Sequence, residues 1–201
     1  MAAINIGVLA LQGDFHAHML MLGTLQDVHA REVRTATDLT EVDGLVLPGG
    51  ESTTIIKLLK RSGLDKAIIM RAEEHMPIYG TCAGLILLAA RVSERPDQPT
   101  LNLMDITVAR NAFGRQIDSF ETDLVVTSAD ADIPVRGVFI RAPFVAEHGN
   151  SVEVLSTYRD RVVAVKQSNL LGTAFHPELT NNNLIHRYFA DMVQRSTKQP
   201  R

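Results

Sequence analysis

The chain's single cysteine, Cys82, stands in the pentapeptide Gly80-Thr81-Cys82-Ala83-Gly84. The run Ile78-Tyr79-Gly80 leads into it and an apolar stretch, Ala83 to Val92, follows. That order predicts a strand, a tight turn bearing the sulfur, then a buried helix, which is the shape of a nucleophile elbow. The glycines fit such a turn, because its backbone is strained and side chains beside the nucleophile would clash across it. A helix beginning after Cys82 would set partial positive charge and free N–H groups near the sulfur and favour thiolate. The plainer reading is a structural thiol, since free cysteine packs well in cores.

Phe175-His176-Pro177-Glu178 supplies a candidate base. In an extended segment, residues two apart point the same way, so His176 and Glu178 can lie side by side. The carboxylate would then fix the imidazole tautomer and leave the other ring nitrogen for a thiol. His16, His18, His29, His75, His148 and His186 lack this combination of strand end, proline and carboxylate and read as surface or structural. Alone, His-Pro-Glu reads equally as a turn after a strand; joined to Cys82 it makes a Cys-His-Glu triad. The third feature is Pro48-Gly49-Gly50-Glu51-Ser52-Thr53. Its paired glycines let backbone N–H groups approach a ligand, so the Gly50 and Ala83 N–H groups are candidates for an oxyanion hole. A glycine turn capped by Ser52 is the alternative; a P-loop is excluded by the lack of a following Gly-Lys-Ser/Thr.

The elements that must position these residues alternate in the first half. Ile4 to Leu11, Val28 to Arg34, Gly44 to Leu47 and Ile78 to Gly80 read as buried strands,. Between them lie a helix from Asp14 to about Leu25 and one capped by Ser52 or Thr53 with Ile55, Ile56, Leu58 and Leu59 inward,. This predicts an α/β fold, a three-layer flavodoxin-like sandwich with a mostly parallel sheet. Triad candidates then fall at the C-terminal strand ends, where open α/β sheets place their sites. The second half reads as short strands at Ile106–Val108, Leu124–Thr127, Val138–Ile140, Val152–Leu155, Val162–Lys166 and Gly172–Phe175, an antiparallel extension of the sheet. A last helix is expected from Asn182 to Gln194. Residues 1–195 are expected to form one domain and 196–201 a disordered tail.

The 201 residues suit one domain, with 45% hydrophobic and 21% charged residues,. A net charge of −3 argues against nucleic acid or an anionic membrane as partner,. The lone cysteine allows no intrachain disulfide and fits a reducing compartment. With no signal peptide and no apolar run near the roughly 20 residues of a membrane span, the chain reads as cytoplasmic. No cluster has metal-ligand spacing.

At the Cys82 and His176-Pro177-Glu178 segments the sequence resembles the class I, triad-type glutamine amidotransferases. Further stretches are similar to the PdxT/SNO family, the glutaminase subunits of pyridoxal 5′-phosphate synthase: Ala10-Leu11-Gln12-Gly13-Asp14, Pro48 to Thr54, Arg110 to Gln116, Asp118-Ser119-Phe120-Glu121 and Val138 to Pro143. The likeness runs from about Ile4 to Val193. It implies that Cys82 attacks the side-chain amide of L-glutamine, His176 moves the proton and Glu178 orients His176. It implies substrate contacts at Gly50, Glu51, Ser52, Arg110, Ile140 and Arg141. Arg110 or Arg141 could hold the α-carboxylate and Glu51 the α-ammonium; solvated or partner-facing charge is the other reading of the arginines. A PdxS-type synthase subunit, in a large hetero-oligomer, is the implied partner, with pyridoxal 5′-phosphate as the complex's product and no cofactor in this chain. Phe15-His16-Ala17-His18 departs from the common pattern, which carries an acidic residue before the histidine. Because a free glutaminase would leak ammonia, docking is expected to fix a Gly49-Gly50 peptide flip. The competing readings are a glutaminase serving another synthase, a DJ-1-like cysteine peptidase or chaperone, and a catalytically dead binding subunit.

Overall fold

The computed structural model describes residues 3–110, 119–128 and 132–198. The strands β1 (Ile4–Leu9), β2 (Val28–Val33), β3 (Gly44–Leu47) and β4 (Ile78–Thr81) alternate with α1 (Phe15–Gly23), α2 (Ala36–Thr40), α3 (Ser52–Ser62) and α4 (Leu64–Glu73). Then come α5 (Ala83–Leu88), β5 (Ala89–Val92), β6 (Met104–Ala109), β7 (Ser119–Thr127), β8 (Asp132–Ile140) and β9 (Phe144–His148). The chain closes with β10 (Glu153–Tyr158), β11 (Arg161–Gln167), β12 (Leu170–Thr173), a 3-10 turn (Pro177–Leu179) and α6 (Leu184–Lys198).

Among the described residues the main sheet has ten strands in the order β2-β1-β3-β4-β12-β11-β9-β6-β5, with β10 on β11. β2, β1, β3, β4 and β12 run parallel. From β11 onward the neighbours along the path are antiparallel, except that β5 runs parallel to β6. The order reverses at β1, so right-handed crossovers put α1 and the α3–α4 pair on opposite faces. Covering both faces explains why Gly44–Leu47, Ile78–Thr81 and Leu170–Thr173 are buried at every position,. Edge strand β2 is buried only at Val28 and Val33.

Several boundaries differ from the sequence expectations. Ala83 to Val92 is not one helix: α5 stops at Leu88 and the chain continues as β5, pairing with β6. An apolar run without polar punctuation shows no period, so helix and strand could not be separated by pattern. Asp14 sits at the N-cap of α1 but its side chain makes no cap bond. Glu51, rather than Ser52 or Thr53, caps α3, accepting from the Thr53 N–H. β12 spans Leu170–Thr173, earlier than expected, and α6 runs on to Lys198.

β7 and β8 form their own antiparallel hairpin. β8 alternates strictly, burying Ile133, Val135, Gly137 and Phe139, as one covered face requires. Phe139 stacks on Phe120 with ring centroids 4.6 Å apart and meets Phe175 at 5.6 Å. The hairpin therefore packs against the segment that leads to His176, and the Val138 carbonyl accepts the His176 N–H at 2.8 Å.

Candidate active site

Cys82 follows directly on β4. Its backbone has φ 48° and ψ −99°, the strained region expected of an elbow nucleophile. Two bonds hold the turn there: Cys82 N–H to the Thr173 carbonyl at 2.8 Å, and Ile86 N–H to the Cys82 carbonyl at 3.2 Å. A Cβ on Gly84 would run into the Leu47 carbonyl oxygen. Only glycine there lets α5 lie against the end of β3. α5 has six residues, so the dipole at the sulfur comes from a shorter helix than the sequence suggested.

β12, hydrogen-bonded beside β4, carries the chain to His176. The pairing with Glu178 is present, with Nδ1 and Oε1 2.7 Å apart, but by another route. Pro177–Leu179 forms a 3-10 turn, not an extended segment, so the side chains meet through a turn. His176 is 7% and Glu178 5% exposed. Burial disfavours the charged imidazole, but the hydrogen bond with Cys82, that with Glu178 and the charges of both outweigh it and push His176 up to about 10,. Burial of Glu178 is likewise overcome, by the charge of His18 and the bonds from His176 and His18, leaving its carboxyl far below the usual range.

A pocket of about 240 Å³ opens over the sulfur, lined by Gly50, Glu51, Ser52, Cys82, Ala83, Ile86, Arg110, Ile140, Arg141 and Pro143. Every residue picked from sequence as an oxyanion or substrate group is on that wall. The volume falls below the roughly 300–1,000 Å³ of sites for drug-sized ligands and suits something as small as an amino acid. Gly50 has φ 153°, which strains any other residue. Its turn is latched to the loop after β1: Asp14 N–H donates to the Gly49 carbonyl at 3.1 Å, and Glu51 N–H to Gln12 Oε1 at 2.9 Å.

At the rim, Arg110 Nη2 lies 3.4 Å from Glu51 Oε1 and Nη1 donates to Gln98 Oε1 at 2.8 Å. Gln98 Nε2 in turn donates to Ser52 Oγ at 3.2 Å. Arg141 follows β8 with φ 44°, a second strained non-glycine residue at the pocket. The motif Arg110 to Gln116 is described only at Arg110, and Asp118 also lies outside the described residues.

Sequence reasoning missed Gln12, Gln98 and above all His18. His18 is fully buried, its Nε2 3.1 Å from Thr81 Oγ1 and 3.4 Å from Glu178 Oε1. The available signal was its spacing of four from Leu22, the other buried residue of α1, which puts both on one helix face.

An elbow thiol on a doubly wound sheet, with its histidine at the end of the neighbouring strand, places the chain in the class of triad-type glutamine amidotransferases. More narrowly, it belongs to the SNO glutamine amidotransferase family, whose model matches residues 8–195. Curated relatives called pyridoxal 5′-phosphate synthase subunit PdxT include that of Streptomyces coelicolor, 51% identical over 190 residues, covering 94% of this chain and 93% of the relative. That of Frankia alni is 51% identical over 199 residues, covering 98% of each. That of Corynebacterium jeikeium is 52% identical over 192 residues, covering 94% and 97%. A glutamine amidotransferase crystal structure superposes with TM-score 0.89 at 45% identity, covering 94% of this chain and 98% of that one. A GMP synthase protein from Thermoplasma acidophilum shares the fold at TM-score 0.70 and 17% identity, covering 98% of each chain.

Proposed function

We propose that the chain hydrolyses L-glutamine to glutamate and ammonia and delivers the ammonia to a PdxS-type synthase subunit that makes pyridoxal 5′-phosphate. The observation that carries the chemistry is the unbroken hydrogen-bonded line from Cys82 through His176 to Glu178. The sulfur attacks the carboxamide carbon, and the oxyanion that forms takes the Gly50 and Ala83 N–H groups. His176 gives its proton to the departing nitrogen, the C–N bond breaks and ammonia leaves a thioester. His176 then takes a proton from water, whose oxygen displaces the sulfur and releases glutamate. Glu178 keeps the Nδ1 proton in place throughout.

Glu51, Ser52, Arg110, Ile140 and Arg141 bind the substrate. The opposite charges of Glu51 and Arg110, 3.4 Å apart at the rim, suit the zwitterionic head of an amino acid, with an arginine on the carboxylate and Glu51 on the ammonium. A working thiol calls for reducing surroundings, which points to the cytoplasm. Among the described residues no helix is long and apolar enough to cross a membrane.

The Gly49-Gly50 turn is bonded to the start of α1. A synthase subunit seated on that face would fix the orientation of the Gly50 N–H and switch the site on. The test is ammonia release from glutamine by the chain alone, with its synthase subunit, and by Cys82→Ala in both settings. Release that rises with the synthase and vanishes in Cys82→Ala is expected. An isolated chain as fast as the complex would sink the gating, and no release in any setting would sink the glutaminase reading.

A further inference from the structure

Four titratable side chains are buried in a row behind the pocket: His176, Glu178, His18 and His186. Among the described residues no group of His, Cys, Asp and Glu is arranged to hold a metal ion, so the row has to be understood as a hydrogen-bonded array. We propose that His18, reaching in from α1, is a positioning residue for the reaction: it supplies the second contact that orients the Glu178 carboxylate and thereby holds His176 against Cys82. This rests on the glutaminase reading above.

The argument begins with the carboxylate. Glu178 is buried, and its Oε2 has no hydrogen-bond partner. Oε1 therefore carries all the compensation, from His176 Nδ1 at 2.7 Å and from His18 Nε2 at 3.4 Å. A buried carboxylate with one donor would tend to take up a proton. It would then cease to hold the imidazole of His176 in the tautomer that faces sulfur.

His18 is itself over-determined. Its Nδ1 lies 2.9 Å from His186 Nε2, and its Nε2 also meets Thr81 Oγ1 at 3.1 Å. An ionised carboxylate can only accept, so His18 Nε2 bears the proton on that side. A neutral His18 then accepts at Nδ1 from His186 Nε2–H, which leaves His186 Nδ1 bare. That atom is the one found without a partner. His186 stays neutral, because burial and the charge of His18 push it down to about 3. The other titratable groups facing the row are Tyr79 from β4, its ring edge-on to His18 at 6.4 Å, and Cys82 on the elbow. Thr81 adjoins the nucleophile in sequence, so His18 touches both the carboxylate end and the elbow end of the site.

Two near-isosteric variants separate positioning from bulk. The amide nitrogen of His18→Gln occupies the place of Nε2 and can still donate to Glu178. That of His18→Asn occupies the place of Nδ1, reaching His186 but not Glu178. Ammonia release is measured against pH for both full-length variants and the wild type, each with the synthase subunit. For His18→Asn, kcat should fall about tenfold or more, with KM changed by less than about threefold, since His18 lies outside the pocket wall. Its acidic limb should move up by about one pH unit, because Glu178 protonates more readily. His18→Gln should recover most of the rate and return the limb towards that of the wild type. Equal profiles for the two variants, or a wild-type rate and limb in His18→Asn, would overturn the proposal while the triad stands. A wild-type complex that releases no ammonia would remove the glutaminase reading and this proposal with it.

Discussion

At φ 48° and ψ −99°, Cys82 holds a conformation that costs on the order of 1–3 kcal/mol. The bonds to Thr173 and Ile86 maintain it, so the sulfur stands at the pocket floor without having to move there. The His176–Glu178 pair makes stability depend on pH in a definite direction. His176 rises from 6.5 to about 10, so its contribution is complete below 6.5 and is lost as pH climbs towards 10. Glu178 falls from its ordinary 4.5, so its contribution is complete above 4.5 and is lost on acidification. Both are present between these values. Thermal unfolding of His176→Gln against the wild type should therefore differ most near pH 5 to 6, by about a few kcal/mol, and converge by pH 10. A difference independent of pH would show that the imidazole serves only as packing. Cys82, His176 and Glu178 were legible in the sequence because each sits in a compact motif of glycine or proline with a chemical partner nearby. His18 was not, because the groups that give it meaning, Glu178 and His186, come from chain more than a hundred residues away.

Local elements were readable where a single periodicity governs them and obscure where packing decides. The apolar side of α3, with Ile55, Ile56 and Leu59 buried, followed from spacing alone. The break between α5 and β5 did not. Ala89-Ala90-Arg91-Val92 becomes a strand because β6 is there to pair with it, and tertiary pairing overrides local preference. Likewise α2 and α4 went unread, the first being five residues long. The tight seat of α5 on β3 gives a sharp expectation. Gly84→Ala places a methyl on the Leu47 carbonyl and should cost about 2 kcal/mol or more. Denaturant unfolding measures that cost, and ammonia release should fall with it as the elbow is pushed out of line. An unchanged midpoint would mean that α5 can shift freely and that the elbow is not braced by β3.

The molecule as a whole divides its labour between two halves of the sheet. The parallel half was foreseeable from alternating strands and helices, and it supplies Cys82 and the Gly49-Gly50 turn. The other half was foreseeable only as a set of short strands, because their pairing partners are set by geometry across the sheet. It supplies His176 through β12 and the Ile140-Arg141 wall through β8. The join between halves is β4 against β12, where Ile78 to Thr81 register with Leu170 to Thr173. A chain truncated after residue 167 would leave β4 as a bare sheet edge. Such edges recruit other chains, so light scattering should show this fragment aggregating where the full chain stays dispersed. A dispersed, folded fragment would mean that β4 needs no cover.

That join also sets a timetable. A ribosome delivers the nucleophile strand first and must add nearly ninety more residues before its neighbour emerges, at roughly 5–20 residues per second. For those seconds the nascent polypeptide carries a sulfur with no imidazole beside it and a sheet with an open flank. Glutamine in the surrounding cytosol is therefore safe from half-made enzyme, and the same interval is when a chaperone would have most to shield.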